Sequence, residues 1–262
     1  MQKTYPNLPA AGHGQLLSYD LLPSHTDCSL QYKLDDIDFT LPSGDTFSDP
    51  IDLEIRSYQL SLVESCGFNT DDLGLVTVSI TDEKSTSFYF WADKTDPSIL
   101  RANQAEFPNQ IEKSSSGRPF VKVIWTQLVG GAENQNNTIV LKRVNDPENE
   151  EKQEKIEIGS VLQYGDTEPM EISKPTEYKV FLNEVELGNA NFKQGGNYNL
   201  LVSGVSGTNT ISVQTVTPEN SFSMFWQLPQ YIIMTAGEVL FSITTMEFCY
   251  TQVFNCLSFQ KM

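Results

Sequence analysis

The chain has 262 residues, of which 34 are acidic and 17 basic, so its formal net charge at neutral pH is −17. This balance argues against nucleic-acid binding, because phosphate contacts need clustered Lys and Arg, and against docking on anionic lipid surfaces. It suits a solvated extracellular face or a basic protein partner, and equally a charge that serves only solubility.

Residues 10–216 alternate apolar and polar side chains in short runs, which predicts β-strands. The runs are rich in β-branched and aromatic residues, as a half-buried pleated surface prefers. Between Ile51 and Val63 the apolar phase changes near Ser57, and we assign this change to a β-bulge. The predicted strands are Ile51–Ile55, Leu75–Ile80, Ser87–Trp91, Pro119–Trp125, Thr138–Lys142, Glu177–Leu182, Tyr198–Val202 and Thr210–Gln214.

No amphipathic helix is predicted before residue 226, and many short strands with polar turns favour sandwiches over a parallel sheet. The predicted fold is therefore all-β, with two Ig-like β-sandwich lobes followed by one hydrophobic helix of the transmembrane type. Ser and Gly interrupt the alternation in 110–118, which places a boundary there. We expect a first lobe over 10–116, a second over 117–216 and the helical tail over 217–262.

Two features of the body concern covalent chemistry. A disulfide between Cys28 and Cys66 would stabilise the fold by roughly 2–4 kcal/mol. Two reduced cysteines on separate strands fit equally well, because two cysteines form no recognisable framework. Asn136 begins an Asn-Asn-Thr sequence, which is an N-glycosylation acceptor wherever it faces the lumen.

The sequence offers little for catalysis. His13 lies in Ala-Gly-His-Gly and His25 in Pro-Ser-His-Thr-Asp, and neither accompanies a nucleophile. Patterns for zinc ligation, a nucleophile elbow, a phosphate loop or a dinucleotide fold are also missing. We therefore predict no catalytic residue, no metal site and no cofactor, and conclude that the protein is not an enzyme.

The tail from Trp226 to Gln252 is a long apolar run that carries Glu238 and Glu247. About 20 mostly apolar residues suffice to cross a hydrocarbon core as a helix, and Pro229 lies where such a helix would begin. A carboxylate at membrane depth costs roughly 2.5–3.5 kcal/mol, so it normally faces other helices or a water-filled cavity. The tail is therefore predicted to be a membrane helix that needs partners.

The tail also resembles a known family. Trp-Gln-Leu-Pro-Gln-Tyr, then Thr-Ala-Gly-Glu-Val-Leu-Phe-Ser-Ile-Thr and Glu-Phe-x-Tyr-x-Gln, are similar to the tenth membrane helix of animal proton-coupled oligopeptide transporters. Lys3–Pro9 resembles the exit from the family's ninth helix, which assigns residues 1–9 to that exit. The family usually continues with Ala-Pro where Val253 and Phe254 stand here. We therefore expect a chain whose C-terminal end diverges and is truncated.

The resemblance implies that residues 10–216 form the family's large extracellular domain at the plasma membrane. Glu238 would then lie in the central cavity, where it binds the amino terminus of a di- or tripeptide or couples its movement to protons. The missing transporter helices would be partners, and a basic extracellular protein such as a digestive protease is another. Alone, the chain is expected not to transport.

An alternative is an extracellular β-sandwich binding module held by a C-terminal membrane anchor. That reading predicts a uniformly apolar anchor followed by Lys or Arg on the cytoplasmic side. Here the apolar run contains two carboxylates, and only Lys261 follows it. We therefore rank the binding module second.

Overall fold

The computed structural model describes residues 8–22, 28–41, 49–70, 73, 76–130, 137–144, 153–160, 163–205, 208–220 and 227–259. This part of the chain contains seventeen strands and one helix. They are β1 His13–Asp20, β2 Leu30–Leu34, β3 Ile37–Leu41, β4 Ile51–Glu54, β5 Ser57–Glu64, β6 Thr77–Ser79, β7 Ser85–Ala92, β8 Leu100–Gln104, β9 Phe120–Thr126, β10 Asn137–Arg143, β11 Glu154–Gly159, β12 Tyr164–Asp166, β13 Met170–Glu171, β14 Thr176–Leu182, β15 Val185–Phe192, β16 Asn197–Val205, β17 Thr208–Thr217 and α1 Leu228–Phe259.

Strands β1–β8 form a β-sandwich that we call the first lobe. Its two sheets have the strand orders β4-β1-β7-β8 and β3-β2-β5-β6. Between them lies a core of aliphatic and aromatic side chains that includes Tyr32, Phe88 and Phe90. The rings of Phe88 and Phe90 meet edge to face with centroids 5.1 Å apart, a favourable geometry for aromatic pairs.

The β-bulge predicted near Ser57 is wrong. Strand β4 pairs with β1 in one sheet, whereas β5 pairs with β2 and β6 in the other. Leu53 before the break and Tyr58 and Leu60 after it all enter the same core, because the two strands face that core from opposite sides. The change of apolar phase therefore marks a crossing between sheets.

Strands β9–β17 form a second sandwich, the second lobe. Its sheets have the orders β11-β10-β14-β15 and β12-β9-β16-β17, and β13 adds to β9. The core between them includes Val123, Trp125, Tyr178 and Leu200. Residues up to Glu219 form one compact unit that contains both lobes, and residues 220–262 form another.

The two lobes meet through a third apolar cluster, which we call the lobe seam. In β1, Leu16 points into the core of the first lobe, whereas Leu17 and Tyr19 point into the seam, as alternation along a strand requires. The seam is built by the parallel pairs β1 with β7 and β9 with β16, whose sheets are covered on both faces. Its members are Leu17, Tyr19, Leu21, Tyr89, Trp91, Ala105, Ile124 and Leu201.

The tail forms the predicted apolar helix. Helix α1 begins at Leu228, so Pro229, where the sequence predicts the start, lies in its first turn, where a missing N–H costs nothing. The stretch Leu228–Val253 is 26 residues long with a mean hydropathy of 1.4 and could cross a membrane. The fold class read from the sequence, two β-sandwich lobes and one apolar C-terminal helix, is confirmed.

Candidate functional site

Glu238 and Glu247 both lie within α1, and both are exposed on the helix taken by itself. Nine residues at about 100° per residue place the two carboxylates on opposite faces. At about 1.5 Å per residue, Glu238 lies about 15 Å from Leu228 and about 22 Å from Val253 along the helix axis. Glu238 is thus far from both ends of the apolar stretch, whereas Glu247 is about 9 Å from Val253.

Glu238 belongs to a continuous row of polar or polarisable side chains along α1, which we call the polar stripe. Its positions are spaced alternately by four and three residues, and at about 100° per residue they occupy an arc of about 100°. The flanking positions are mostly Ile, Leu, Val, Met and Phe. Its members are Tyr231, Thr235, Glu238, Ser242, Thr245, Cys249 and Gln252.

The threonines of α1 satisfy their own hydroxyl hydrogens. Thr235 Oγ1 donates to the carbonyl oxygen of Tyr231 at 2.8 Å, and Thr245 Oγ1 donates to that of Phe241 at 2.7 Å. Such bonds to the preceding turn are common for hydroxyl side chains within helices. The Glu238 carboxylate has no equivalent bond within the helix, so it is the group of the stripe that most needs a partner in a low-dielectric setting.

Taken singly, the two carboxylates of the tail do not reveal the polar stripe. The signal was present as the repeated spacing of four and three residues. A face of this kind is typical of a membrane helix that contacts polar groups on one side and lipid on the other.

Polar groups of the β body are concentrated at the lobe seam. Lys122 on β9 and Asp166 on β12 form an ion pair with Nζ and Oδ2 3.0 Å apart, and their side chains are 1% and 3% exposed. Asp166 also accepts hydrogen bonds from the backbone N–H groups of Glu106 and Phe107 at 2.9 and 3.0 Å. Burial lowers the pKa of Lys122, and the Asp166 carboxylate opposes that shift.

A second seam network joins both lobes through amides and hydroxyls. Asn199 Nδ2 donates to Tyr19 Oη at 2.6 Å and to Asn109 Oδ1 at 2.9 Å. Ser87 Oγ also donates to Asn109 Oδ1, at 2.7 Å. Burial raises the pKa of Tyr19 to about 12, so this phenol stays neutral and the network holds no net charge.

The segment that links the lobes is held by the second lobe. Asn197 Nδ2 donates to the backbone carbonyl oxygens of Gln110, Ile111 and Glu112, at 2.9, 3.0 and 3.0 Å. Thr217 Oγ1 donates to the same oxygen of Ile111 at 2.7 Å. The linker, where the sequence predicts the boundary between the lobes, is thus part of the packed body.

The structure brings Cys28 and Cys66 together in a disulfide whose Cα atoms are 5.7 Å apart, within the usual range. Asn136 and His25 lie outside the described residues. His13 lies at the start of β1 and is partly exposed. Within the described ranges, no group of three or more His, Cys, Asp and Glu side chains could hold a metal ion.

Comparison with known proteins gives partial matches, and no family model matches the chain. Peptide transporter family 2 of Caenorhabditis elegans is 46% identical over 61 residues, which cover 22% of this chain and 8% of the relative. Solute carrier family 15 member 2 of Danio rerio is 30% identical over 144 residues, which cover 55% of this chain and 18% of the relative. Among solved structures, the carbohydrate-binding module CBMbc (family CBM26) of Eubacterium rectale Amy13K covers 76% of this chain and 96% of its own, with 12% identity and a TM-score of 0.27. That similarity is too low to support a functional comparison.

Fold and tail together define a β-sandwich protein with a membrane-type helix that carries carboxylates. The resemblance to animal peptide transporters is confirmed, because several of them match this chain over parts of its length. The 144-residue match is longer than the whole tail 217–262, so the similarity extends into the β body. The chain spans 8% and 18% of the two relatives described above. Their names describe transporters, in agreement with the prediction that this chain is not an enzyme.

Proposed function

We propose that the chain forms part of a proton-coupled di- and tripeptide transporter of the plasma membrane, with residues 10–216 outside the cell and α1 along the peptide pathway. The observation that carries the proposal is the polar stripe of α1, which contains Glu238 and is flanked mostly by apolar side chains. The similarity to animal peptide transporters supports it. A disulfide in the β body is compatible with an oxidising extracellular environment.

In this role Glu238 would face a cavity enclosed by α1 and other helices. A carboxylate in a weakly screened cavity attracts the ammonium group of a peptide far more strongly than it would in water. A proton can neutralise the same carboxylate when the peptide leaves, which links the two movements. The other members of the polar stripe would make this face of the cavity polar, so that it binds water and forms hydrogen bonds with the peptide backbone.

One helix cannot enclose a cavity, and α1 is the one membrane-type helix among the described residues. We therefore propose that this chain does not transport by itself and that the remaining transporter helices complete the site. The alternative, a β-sandwich module with a simple anchor, accounts less well for the tail. An anchor needs only an apolar surface, and a row of seven polar or polarisable positions would weaken it.

The test is a chimera in which residues 228–252 replace the matching helix of a related peptide transporter. The chimera should take up a dipeptide in a proton-dependent manner, and Glu238→Gln should reduce uptake about tenfold or more, the effect of losing roughly 1.4 kcal/mol of binding. Glu247→Gln makes the same chemical change on the opposite face, so uptake should largely persist. Equal uptake by the Glu238→Gln chimera and its parent, at matched surface expression, would refute the assignment.

A further inference from the structure

A cavity of about 930 Å³ opens between the two lobes, next to the seam residue Trp91. The first lobe contributes Trp91, Asp93, Lys94 and Arg101, from the end of β7 and from β8, and the second lobe contributes Gln127 and Tyr164. Small-molecule sites commonly have volumes of about 300–1,000 Å³ and lie between packed domains. Its size and place are therefore those of a ligand site.

Gln127 is the unusual member of this lining. It is 8% exposed, its backbone is in the left-handed region with a φ of 51°, and its Oε1 has no hydrogen-bond partner. Its backbone N–H donates to the carbonyl oxygen of Gln163, which precedes β12 in the same lobe, at 2.6 Å, and this bond holds the backbone of Gln127 in place. A buried acceptor left without a donor costs roughly 1–3 kcal/mol, and backbone strain of this kind clusters at ligand sites.

The charges of the lining differ from those of the whole chain. Asp93 accepts hydrogen bonds from the backbone N–H and the Oγ1 of Thr95, and its Oδ2 lies 3.1 Å from Arg101 Nε. Asp93 thus holds the side chain of Arg101, and both residues line the cavity. Lys94 is exposed and makes no ion pair within the described ranges. Among the described lining residues there are two cations and one carboxylate, in a chain whose net charge is −17, so this part of the cavity favours an anionic group.

We propose that this cavity binds the carboxyl-terminal end of a short peptide. Lys94 and Arg101 would hold the carboxylate, since Arg in particular suits carboxylate recognition. Gln127 would accept a peptide N–H, because the terminal torsion of a Gln side chain is soft and a small rotation turns Oε1 towards the ligand. The rings of Trp91 and Tyr164, with centroids 5.0 Å apart, would contact the peptide side chain.

The proposal rests on the proposed function for its choice of ligand, since it places a peptide site in the extracellular body of a peptide transporter. A neutral oligosaccharide could also use aromatic rings and amides. It would gain nothing from the excess of positive charge, however, and the observations therefore favour a peptide with a free carboxylate.

The experiment is calorimetric titration of the full chain in lipid nanodiscs with tri-alanine. Tri-alanine amide, which lacks the carboxylate, should bind more weakly. Lys94→Ala should weaken the binding of tri-alanine about fivefold, as expected for an exposed charge pair, and should leave the binding of the amide unchanged. Lys174→Ala, an exposed lysine outside the cavity, is the matched control and should change neither. In Gln127→Asn the new asparagine tolerates the left-handed backbone but has a shorter side chain, so this variant should bind both peptides more weakly.

Three results would overturn the proposal: no heat from tri-alanine, equal binding of the acid and the amide, or equal binding of maltotriose. Because Lys94 is exposed, its replacement tests the site without disturbing the fold, and a melting curve verifies this. Failure here would leave the uptake experiment with the α1 chimera unaffected, since that experiment depends on the helix and not on the cavity.

Discussion

Removing Asp166 should destabilise the whole β body, because it leaves Lys122 buried without its counter-charge. The two side chains are 1% and 3% exposed, so water cannot replace the lost partner. Losing one member of a buried ion pair costs about 3–5 kcal/mol. Since domains are typically stable by about 5–15 kcal/mol, we expect Asp166→Ala to remove about a fifth or more of the stability.

Most of the stability lost in Asp166→Ala should come from the unpaired charge of Lys122. Glu106, one of the two backbone donors to Asp166, is exposed, and its N–H can bond to water instead. Burial already lowers the pKa of Lys122, and Asp166 opposes this shift, so the lysine of Asp166→Ala should lose its proton more easily. Its pKa in the folded state then lies below the unfolded value of about 10.4. Between these two values the unfolded chain binds more protons, so the variant should gain stability as the pH rises through that window.

A double-mutant cycle measures the pair directly. Asp166→Ala, Lys122→Met and the double variant are unfolded with guanidinium in detergent, and the fluorescence of the buried Trp91 and Trp125 is followed. The free energy of unfolding should fall less in the double variant than the sum of its falls in the two single variants, by about 0.5–3 kcal/mol. The reason is that neither buried charge remains in the double variant. Additive costs, or an Asp166→Ala variant whose stability does not rise with pH, would refute this account of the seam.

Further predictions concern the body. Replacing Cys28 and Cys66 with Ser should lower the free energy of unfolding by about 4 kcal/mol, the chain-entropy value for a loop of their separation of 38 residues, as urea unfolding would measure. Thr95 and Arg101 lower the pKa of Asp93 to about 2. The ionised Asp93 carboxylate therefore stabilises the fold fully above about pH 4, and this contribution is lost as the pH falls through about 2. Asp93→Asn should flatten that part of the pH–stability curve. Residues 8–219 without α1 should be monomeric with a circular dichroism spectrum typical of strands. Any binding of this body to a basic protein, such as a digestive protease, should weaken as the Debye length falls from about 10 to about 3 Å between 0.1 and 1 M salt.

Where one face of a strand is apolar, the sequence predicts the strand well. Ser87–Trp91 and Tyr198–Val202 were both placed correctly inside β7 and β16. The lobe seam could not be predicted in the same way. Its face of β16 carries Asn197, Asn199 and Ser203 as well as Leu201, and such a face is indistinguishable from a solvated one until its partners are known. Burial of polar groups depends on hydrogen bonds from residues distant in the sequence, and no local pattern specifies those.

The tail shows the opposite case. Its length and hydropathy predict the helix directly, and the helix begins at Leu228, one residue before the predicted Pro229. The polar stripe could have been found from the sequence alone, because helical geometry determines which positions share a face. Which neighbours Glu238 and Glu247 meet could not be predicted, since α1 is the one helix among the described residues and a helical pattern does not specify its partners.

Body and helix therefore place different demands on a partner. In the body, the two sandwiches share a seam whose ion pair and amide network are formed within the described residues, and Asn197 holds the linker, so a ligand between the lobes would meet a preformed site. The helix carries a polar face with a carboxylate that has no partner on the helix itself, and in a membrane that face is stable only against other polar groups. The proposed binding by the body and the proposed transport through the helix can be tested separately: in the full chain, Lys94→Ala should weaken tri-alanine binding and Glu238→Gln should leave it unchanged, whereas Glu238→Gln should reduce uptake by the α1 chimera about tenfold or more. Weaker tri-alanine binding by the full-chain Glu238→Gln variant would show that body and helix act as one site.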